Sequence, residues 1–163
     1  PSRWWECCCP RESSPGGEKR WPDLEESEIK CVLVLDGDQA PGVQANAAAI
    51  LGMTLGARHP ALVGPDARDA DDGLHPGIST SPVPVLKSDA DGLRTLRKRL
   101  REPRFASVFC ADFSDVAQCC RSYPAYLEKA ARTREEEHRY LGLCLCGEKK
   151  LVNRLTGCLP LLR

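Results

Sequence analysis

Three short and nearly unbroken apolar runs along the chain are typical of β-strands. They are residues 29–35, 105–111 and 141–147. Each run is too short for a helix, and strands buried on both faces of a sheet show continuous apolar residues instead of alternation. A fourth segment, residues 78–86, alternates around Pro82 and Pro84, and proline confines a strand to the edge of a sheet. The pattern therefore predicts a sheet of about four strands with residues 29–35 at its centre.

Helical patterns occupy the segments between these runs. Residues 43–55 are rich in Ala, Ile and Leu, with Pro41 suited to the first helical position and Gly56 to the C-terminal cap. Because this segment is apolar nearly all round, we expect a buried helix packed close to the sheet. Further helices are predicted at residues 89–101, 115–134 and 149–155, with a break in the second of these at Pro124.

Strands that alternate with helices predict one layered α/β domain, extending from residue 29 to residue 163. Residues 1–28 show neither a helical nor a strand period and contain a Ser-Ser-Pro-Gly-Gly turn cluster. We therefore interpret them as a disordered N-terminal tail.

The composition restricts the expected partners and cellular location of the protein more than its chemistry. Lys plus Arg and Asp plus Glu both number 23, so nucleic acid or an anionic membrane would have to bind at a local patch. Cys31, Cys110, Cys144 and Cys146, four of the ten cysteines, lie in the apolar runs, where a thiol behaves as a small buried hydrophobe. No Cys-x-x-Cys pair, signal-peptide pattern or stretch of 18 apolar residues occurs. The expectation is a cytoplasmic protein without a membrane span.

Several short motifs follow one another along the chain. They are the Lys-led run at residues 30–36, the Ala-rich helix containing Asn46, His59-Pro60, His75-Pro76-Gly77 and the Val-Asn-Arg-Leu-Thr-Gly segment at residues 152–157. As an ordered set they resemble domain-of-unknown-function family 2000, over residues 30–163. The resemblance implies the peptidyl-tRNA hydrolase II-like fold, a mixed sheet flanked by helices, and, for an enzyme of that kind, hydrolysis of an aminoacyl or peptidyl ester.

Peptidyl-tRNA hydrolases of this type carry a Lys-led strand followed by an Asp and a Gly-Lys-x-Ala-Ala-Gln-x-x-His helix. Lys30, Asp38, Gly42 and Ala45 fit that pattern. At the positions of the motif's Lys, Gln and His this chain has Val43, Ala47 and Ile50. The departures favour an alternative in which the fold is kept without the activity.

Lys30 and Asn46 are the candidate catalytic residues. Lys30 begins the predicted central strand, where its ammonium can reach the sheet rim and polarise a carbonyl or contact a phosphate; the alternative is a solvated strand-end charge. Asn46 is a strongly polar residue within an apolar helix, and a buried amide must satisfy two donors and an acceptor. It can orient a substrate carbonyl or hold the neighbouring loop.

A second group of polar residues surrounds the last predicted helix. Cations, amides and hydroxyls of this kind bind phosphate or carboxylate groups, although a solvated helix with C-terminal cations is the simpler alternative. The candidate ligand-binding residues are Lys149, Lys150, Asn153, Arg154 and Thr156.

Other polar residues are weaker candidates. His59 and His75 each precede a proline beside acidic residues and are candidates for a general base or a metal ligand. No second ligand stands at metal-binding spacing, which favours a loop role and no metal. The basic face of residues 89–101, extended by Arg104, is a local candidate for RNA contact, against plain solvation. Its members are Arg94, Arg97, Lys98, Arg101 and Arg104.

These observations lead to a function hypothesis with two branches. In the first, Lys30, Asn46 and residues 149–156 form a pocket at the sheet edge for a small carbonyl- or phosphate-bearing ligand, with hydrolase-like chemistry and no cofactor. In the second, the domain is a non-catalytic binding or regulatory module. The expected partner is a small molecule or, alternatively, tRNA, and a homodimer stays open.

Overall fold

A four-stranded mixed sheet forms the centre of the fold in the computed structural model, which describes residues 28–163. Its strands are β1 (Ile29–Asp36), β4 (Val85–Ser88), β5 (Phe109–Ser114) and β6 (Tyr140–Glu148), and a separate pair comprises β2 (Ala67–Arg68) and β3 (Leu74–His75). The sheet order is β4-β1-β6-β5, with β1 parallel to β4 and antiparallel to β6. The predicted mixed sheet of about four strands is confirmed. The predicted tail falls outside the described residues, apart from Glu28.

Five α-helices within residues 28–163 connect and cover the strands. They are α1 (Pro41–Arg58), α2 (Ala90–Arg99), α3 (Asp115–Gln118), α4 (Tyr123–Ala130) and α5 (Lys149–Thr156). Asp89 caps α2 because its carboxylate accepts a hydrogen bond from the Gly92 backbone N–H at 2.7 Å. None of the helices that the structure describes is long and apolar enough to cross a membrane.

The two faces of the sheet carry separate cores because successive side chains of a strand point to opposite faces. On one face, α1 packs on odd-numbered residues of β1, including Leu33 and Leu35. On the other face, α2 and α5 pack on Val32 and Val34. The domain is therefore a layered arrangement in which each face of β1 is covered by different helices.

Helix α1 is less buried than its composition predicts. Only Ala47, Leu51 and Leu55 are buried, whereas Met53 is 76% exposed. The expectation of an all-round buried helix is wrong, because the sheet covers a single side of α1. The predicted close approach is present, since a Cβ on Gly142 of β6 would lie 3.0 Å from the Leu51 side chain.

Several predicted boundaries shift in the structure. Helix α1 runs past Gly56 to Arg58, and β5 begins at Phe109 because Phe105 lies in a 3₁₀ turn with its ring buried. Strand β4 is an edge strand as predicted, but begins only after Pro84. The helical region predicted at residues 115–134 is interrupted as expected, by residues 119–122 between α3 and α4. Pro124 lies in the first turn of α4, where the missing N–H has no intrahelical partner to lose.

The cysteines of the strands differ in their chemical state. Cys31 and Cys146 face each other across β1 and β6 with their Cα atoms 4.3 Å apart, and they form a disulfide. Their prediction as separate buried thiols is wrong, because the strand register that brings them together joins positions 115 residues apart. Cys110 and Cys144 remain free, and burial raises the pKa of each thiol to about 12.

Candidate functional site

Lys30 and Asn153 meet at the start of β1, as the sequence hypothesis requires. The Lys30 ammonium donates a hydrogen bond to the Asn153 side-chain oxygen at 2.7 Å, joining β1 to α5 at an exposed position. The contact brings two of the predicted site residues together on one face of the sheet.

The remaining ligand-binding candidates do not all face solvent. Lys149, Lys150 and Arg154 are exposed on α5. Thr156 is 1% exposed, and its hydroxyl donates to the Val152 carbonyl at 2.8 Å. Thr156 is therefore wrongly placed among ligand-binding residues, because its side chain is enclosed in the core and its hydroxyl is already bonded.

Asn46 lies away from this group. It is exposed on α1, which covers the opposite face of the sheet from α5, and its amide donates to the Gln118 side chain of α3 at 3.3 Å. The expected burial of Asn46 is wrong, because the sheet contacts the neighbouring Ala47. The predicted convergence of Lys30 and Asn46 on one pocket does not occur.

A cavity of about 500 Å³ opens beside the free edge of β5, between α1 and the segment from α3 to α4. Its walls are mostly apolar and aromatic, with a few polar groups among them. The lining residues are Ile50, Thr54, Asp112, Phe113, Ala117, Cys120, Arg121, Ser122, Tyr123 and Tyr126. None of them was singled out as a site residue from the sequence alone, although the spacing of α1 contained a signal.

That signal is the spacing Asn46, Ile50 and Thr54, which places three residues on one stripe of α1. Ile50 and Thr54 line the cavity. Asn46 lies one turn before them, and its bond to Gln118 ties α1 to α3 next to Ala117 of the cavity wall. Asn46, the unusual polar residue of the Ala-rich helix, thus borders the cavity.

The polar groups of this cavity are donors for the most part. Burial, followed by the charge of Asp112, raises the pKa of the Tyr126 hydroxyl, which keeps it protonated at neutral pH. The Asp112 carboxylate accepts a hydrogen bond from Arg97 at 3.2 Å. Arg121 is exposed at the cavity wall. Tyr126 and Arg121 can therefore donate to an oxygen of a bound molecule.

No side chain lining the cavity is arranged as an activated nucleophile. The Cys120 thiol donates to the Val116 carbonyl at 3.1 Å, and the Ser122 hydroxyl accepts from the Ala125 N–H as the cap of α4. A nucleophile also needs an adjacent base, and no histidine lines the cavity.

Ser114 and His138 form a Ser–His contact elsewhere in the domain. The Ser114 hydroxyl lies 3.1 Å from His138 Nδ1. Ser114 is only 3% exposed at the end of β5, which leaves a substrate no access to its oxygen. This contact therefore has a structural role.

The two loop histidines have structural surroundings. His59 follows α1 and stacks edge-on against Phe109 at 4.6 Å, and burial, with a smaller contribution from Arg58, lowers the pKa of its imidazole. His75 contacts Asp69 at 3.0 Å, and this hydrogen bond lowers the pKa of the Asp69 carboxyl. Within residues 28–163, no cluster of three His, Cys, Asp or Glu side chains is arranged to hold a metal.

Comparisons with known proteins identify relatives without describing an activity. A family model described as "Protein of unknown function (DUF2000)" matches residues 29–163. A solved structure of a protein of unknown function from Agrobacterium tumefaciens strain C58 is 19% identical, with a TM-score of 0.74 over 82% of this chain and 97% of that one. No curated protein matches the chain. At this identity the structural likeness extends to the fold alone.

Proposed function

The chain belongs to the DUF2000 family, and we propose that it binds a small carbonyl-bearing molecule with an aromatic or aliphatic body in the cavity beside β5, without transforming it. The observation that carries this proposal is the cavity of about 500 Å³ with apolar walls and the donors Tyr126 and Arg121. Ligand pockets typically have such volumes, mainly apolar linings and a few polar groups that set orientation.

Exposed apolar groups at the cavity rim support a ligand that is itself apolar. Tyr123 of α4 is 71% exposed and Ile50 of α1 is 36% exposed, and both line the cavity. Burial of apolar surface stabilises a complex by about 25 cal/mol per Å² before the costs of association. A ligand body placed between α1 and α4 would cover both side chains.

The hydrogen-bond donors of the cavity indicate which polar group the ligand carries. A carbonyl oxygen accepts hydrogen bonds from a phenol or a guanidinium, which are the groups that Tyr126 and Arg121 offer. A ligand carboxylate would instead lie near the Asp112 carboxylate, whose negative charge already contributes to raising the pKa of Tyr126. The preferred class is therefore a neutral amide or ester attached to an aromatic or aliphatic group.

Hydrolysis is the second candidate function. It rests on the further proposal that the fold is peptidyl-tRNA hydrolase II-like. The central Lys-led strand β1 and the helix α1 that follows it support this classification. Against activity stand Val43, Ala47 and Ile50 at the motif positions for Lys, Gln and His. We therefore give binding without catalysis precedence.

Filling the cavity should abolish binding of a suitable probe. Thr54→Trp places an indole in the cavity, so we expect the affinity for N-acetyl-L-phenylalanine methyl ester to fall at least about tenfold. Chemical-shift titration of the ¹⁵N-labelled protein measures the affinity, and release of methanol in the same samples reports hydrolysis. The native protein is expected to bind the ester and to release no methanol above buffer.

Met53→Trp is the matched control, because Met53 neighbours Thr54 in α1 but is 76% exposed and does not line the cavity. It should bind the ester within about twofold of the native protein. Equal loss in both variants, or binding that is unaffected by Thr54→Trp, would contradict the proposed site. Enzymatic methanol release would contradict the absence of catalysis.

Peptidyl-tRNA gives a separate test of the hydrolase candidate. We expect neither the native protein nor Lys30→Ala to release peptide from peptidyl-tRNA, because the helix residues of the enzyme motif are replaced. Acid-gel electrophoresis of the tRNA measures turnover, and circular dichroism verifies folding of the variant. Turnover by the native protein that is lost in Lys30→Ala would establish the hydrolase instead.

A further inference from the structure

A second, smaller cavity of about 210 Å³ lies on the α2 face of the sheet. It is lined by Arg94, Lys98, Arg134, Glu135, Glu136 and Tyr140. The Arg94 Nε atom is buried and has no hydrogen-bond partner within residues 28–163. Buried polar atoms nearly always have a partner, so the Arg94 side chain, which lines the cavity, carries donor capacity that residues 28–163 leave unused.

The basic face of α2 divides into paired and unpaired cations. Arg97 pairs with Asp112, Arg101 with Glu135 and Arg104 with Glu102. Arg94 and Lys98, one helical turn apart on the same side of α2, have no carboxylate partner among the described residues. The two cations of α2 that line the cavity are thus the ones left for a ligand.

The residues on the other walls of this cavity add a hydrogen-bond donor and determine its net charge. Burial, followed by the charge of Asp112, raises the pKa of the Tyr140 hydroxyl, so the phenol stays protonated at neutral pH. Among the lining residues and their ion-pair partners, four cations stand against two carboxylates, which leaves two positive charges. That excess equals the charge of a fully ionised phosphate monoester.

We propose that this cavity binds the terminal phosphate of a small phosphomonoester, with Arg94 as the anchor. A guanidinium presents parallel N–H donors that match two phosphate oxygens, and Arg94 lines the cavity without a carboxylate partner among the described residues. Lys98 and Arg134 contribute charge at the mouth, and the Tyr140 hydroxyl donates from the wall. This site lies across the Arg97–Asp112 ion pair from the cavity of the proposed function and takes a different ligand class.

Phenyl phosphate and phenol, which differ only in the phosphate, test this proposal on the intact chain. In ¹⁵N spectra that display arginine side chains, phenyl phosphate should shift the Arg94 Nε–Hε signal, and phenol should not. Arg94→Met should weaken phenyl phosphate binding at least about tenfold, consistent with loss of a charge-assisted bidentate pair. Lys98→Met, an exposed substitution that leaves the core intact, should weaken it severalfold.

Arg104→Met is the control for the basic face as a whole, because Arg104 is paired with Glu102 and does not line the cavity. It should change phenyl phosphate affinity less than about twofold. No shift at Arg94, or equal losses in the Arg94, Lys98 and Arg104 variants, would overturn the site. A twelve-nucleotide RNA that binds more tightly than phenyl phosphate and competes at Arg94 would overturn the assignment to a small phosphomonoester.

Discussion

Replacing Asp36 with alanine is expected to lower the free energy of unfolding by about 3 kcal/mol, since hydrogen bonds to a charged group contribute about 1.5–3 kcal/mol each. The Asp36 carboxylate is fully buried at the end of β1. It accepts hydrogen bonds from the Asp38 N–H at 3.1 Å and the Gln39 amide at 2.8 Å, and it lies 3.5 Å from the Arg139 guanidinium. Alanine would leave all three groups without their acceptor at the turn that leads into α1.

Urea denaturation at pH 7, followed by far-ultraviolet circular dichroism, measures this loss. Asp38→Ala is the matched control, because Asp38 is exposed and lies two residues from Asp36 in the same turn. Its effect should stay within about 0.5 kcal/mol, as for ordinary surface substitutions. Similar losses in the two variants would mean that the Asp36 contacts contribute little to stability.

The alkylation rates of the buried and the exposed free cysteines should differ by about three orders of magnitude. The pKa of about 12 for Cys110 and for Cys144 leaves a thiolate fraction at pH 8 that is about 10³-fold below that of a free cysteine. Iodoacetamide should therefore label Cys119 and Cys158, which are exposed, long before either buried thiol. Residue-resolved mass spectrometry of timed samples measures the individual rates.

Labelling in 8 M urea provides the control, because every free thiol should then react at a similar rate. Between pH 8 and pH 9 the native-state rates of Cys110 and Cys144 should rise about tenfold, since both pH values lie far below their pKa. If Cys110 and Cys144 in the native protein reacted as fast as Cys119 and Cys158, that result would contradict the burial of β5 and β6.

The strands and the main helices were predictable because their signals are local. A continuous apolar run identified β1 and β6 to within a residue or two, and the leucines of α2 defined its buried side. The start of β5 was misplaced because Phe105 is as buried in its 3₁₀ turn as it would be in a strand. Hydrophobicity reports burial, and it does not distinguish the backbone conformations that achieve it.

The candidate sites were less predictable because they combine distant segments. Resemblance to the family directed attention to Lys30 and Asn153, which do meet, although 123 residues separate them. Asn46 is conspicuous in the sequence because it is polar within an apolar helix, but its partner Gln118 lies 72 residues further along the chain. In the sequence Arg94 resembles its basic neighbours, and only the ion pairs of those neighbours in the structure distinguish it from them.

Local apolar periodicity was therefore enough to predict a single layered α/β domain, since each element reflects the burial pattern of its own residues. Which face of the sheet each helix covers, and hence which side chains share a cavity, depended on strand order and on packing between elements. Those contacts arise from the joint fit of all segments. The cavity beside β5, the enclosed Thr156 and the unpaired Nε of Arg94 are results of that packing and have no counterpart in the local sequence pattern.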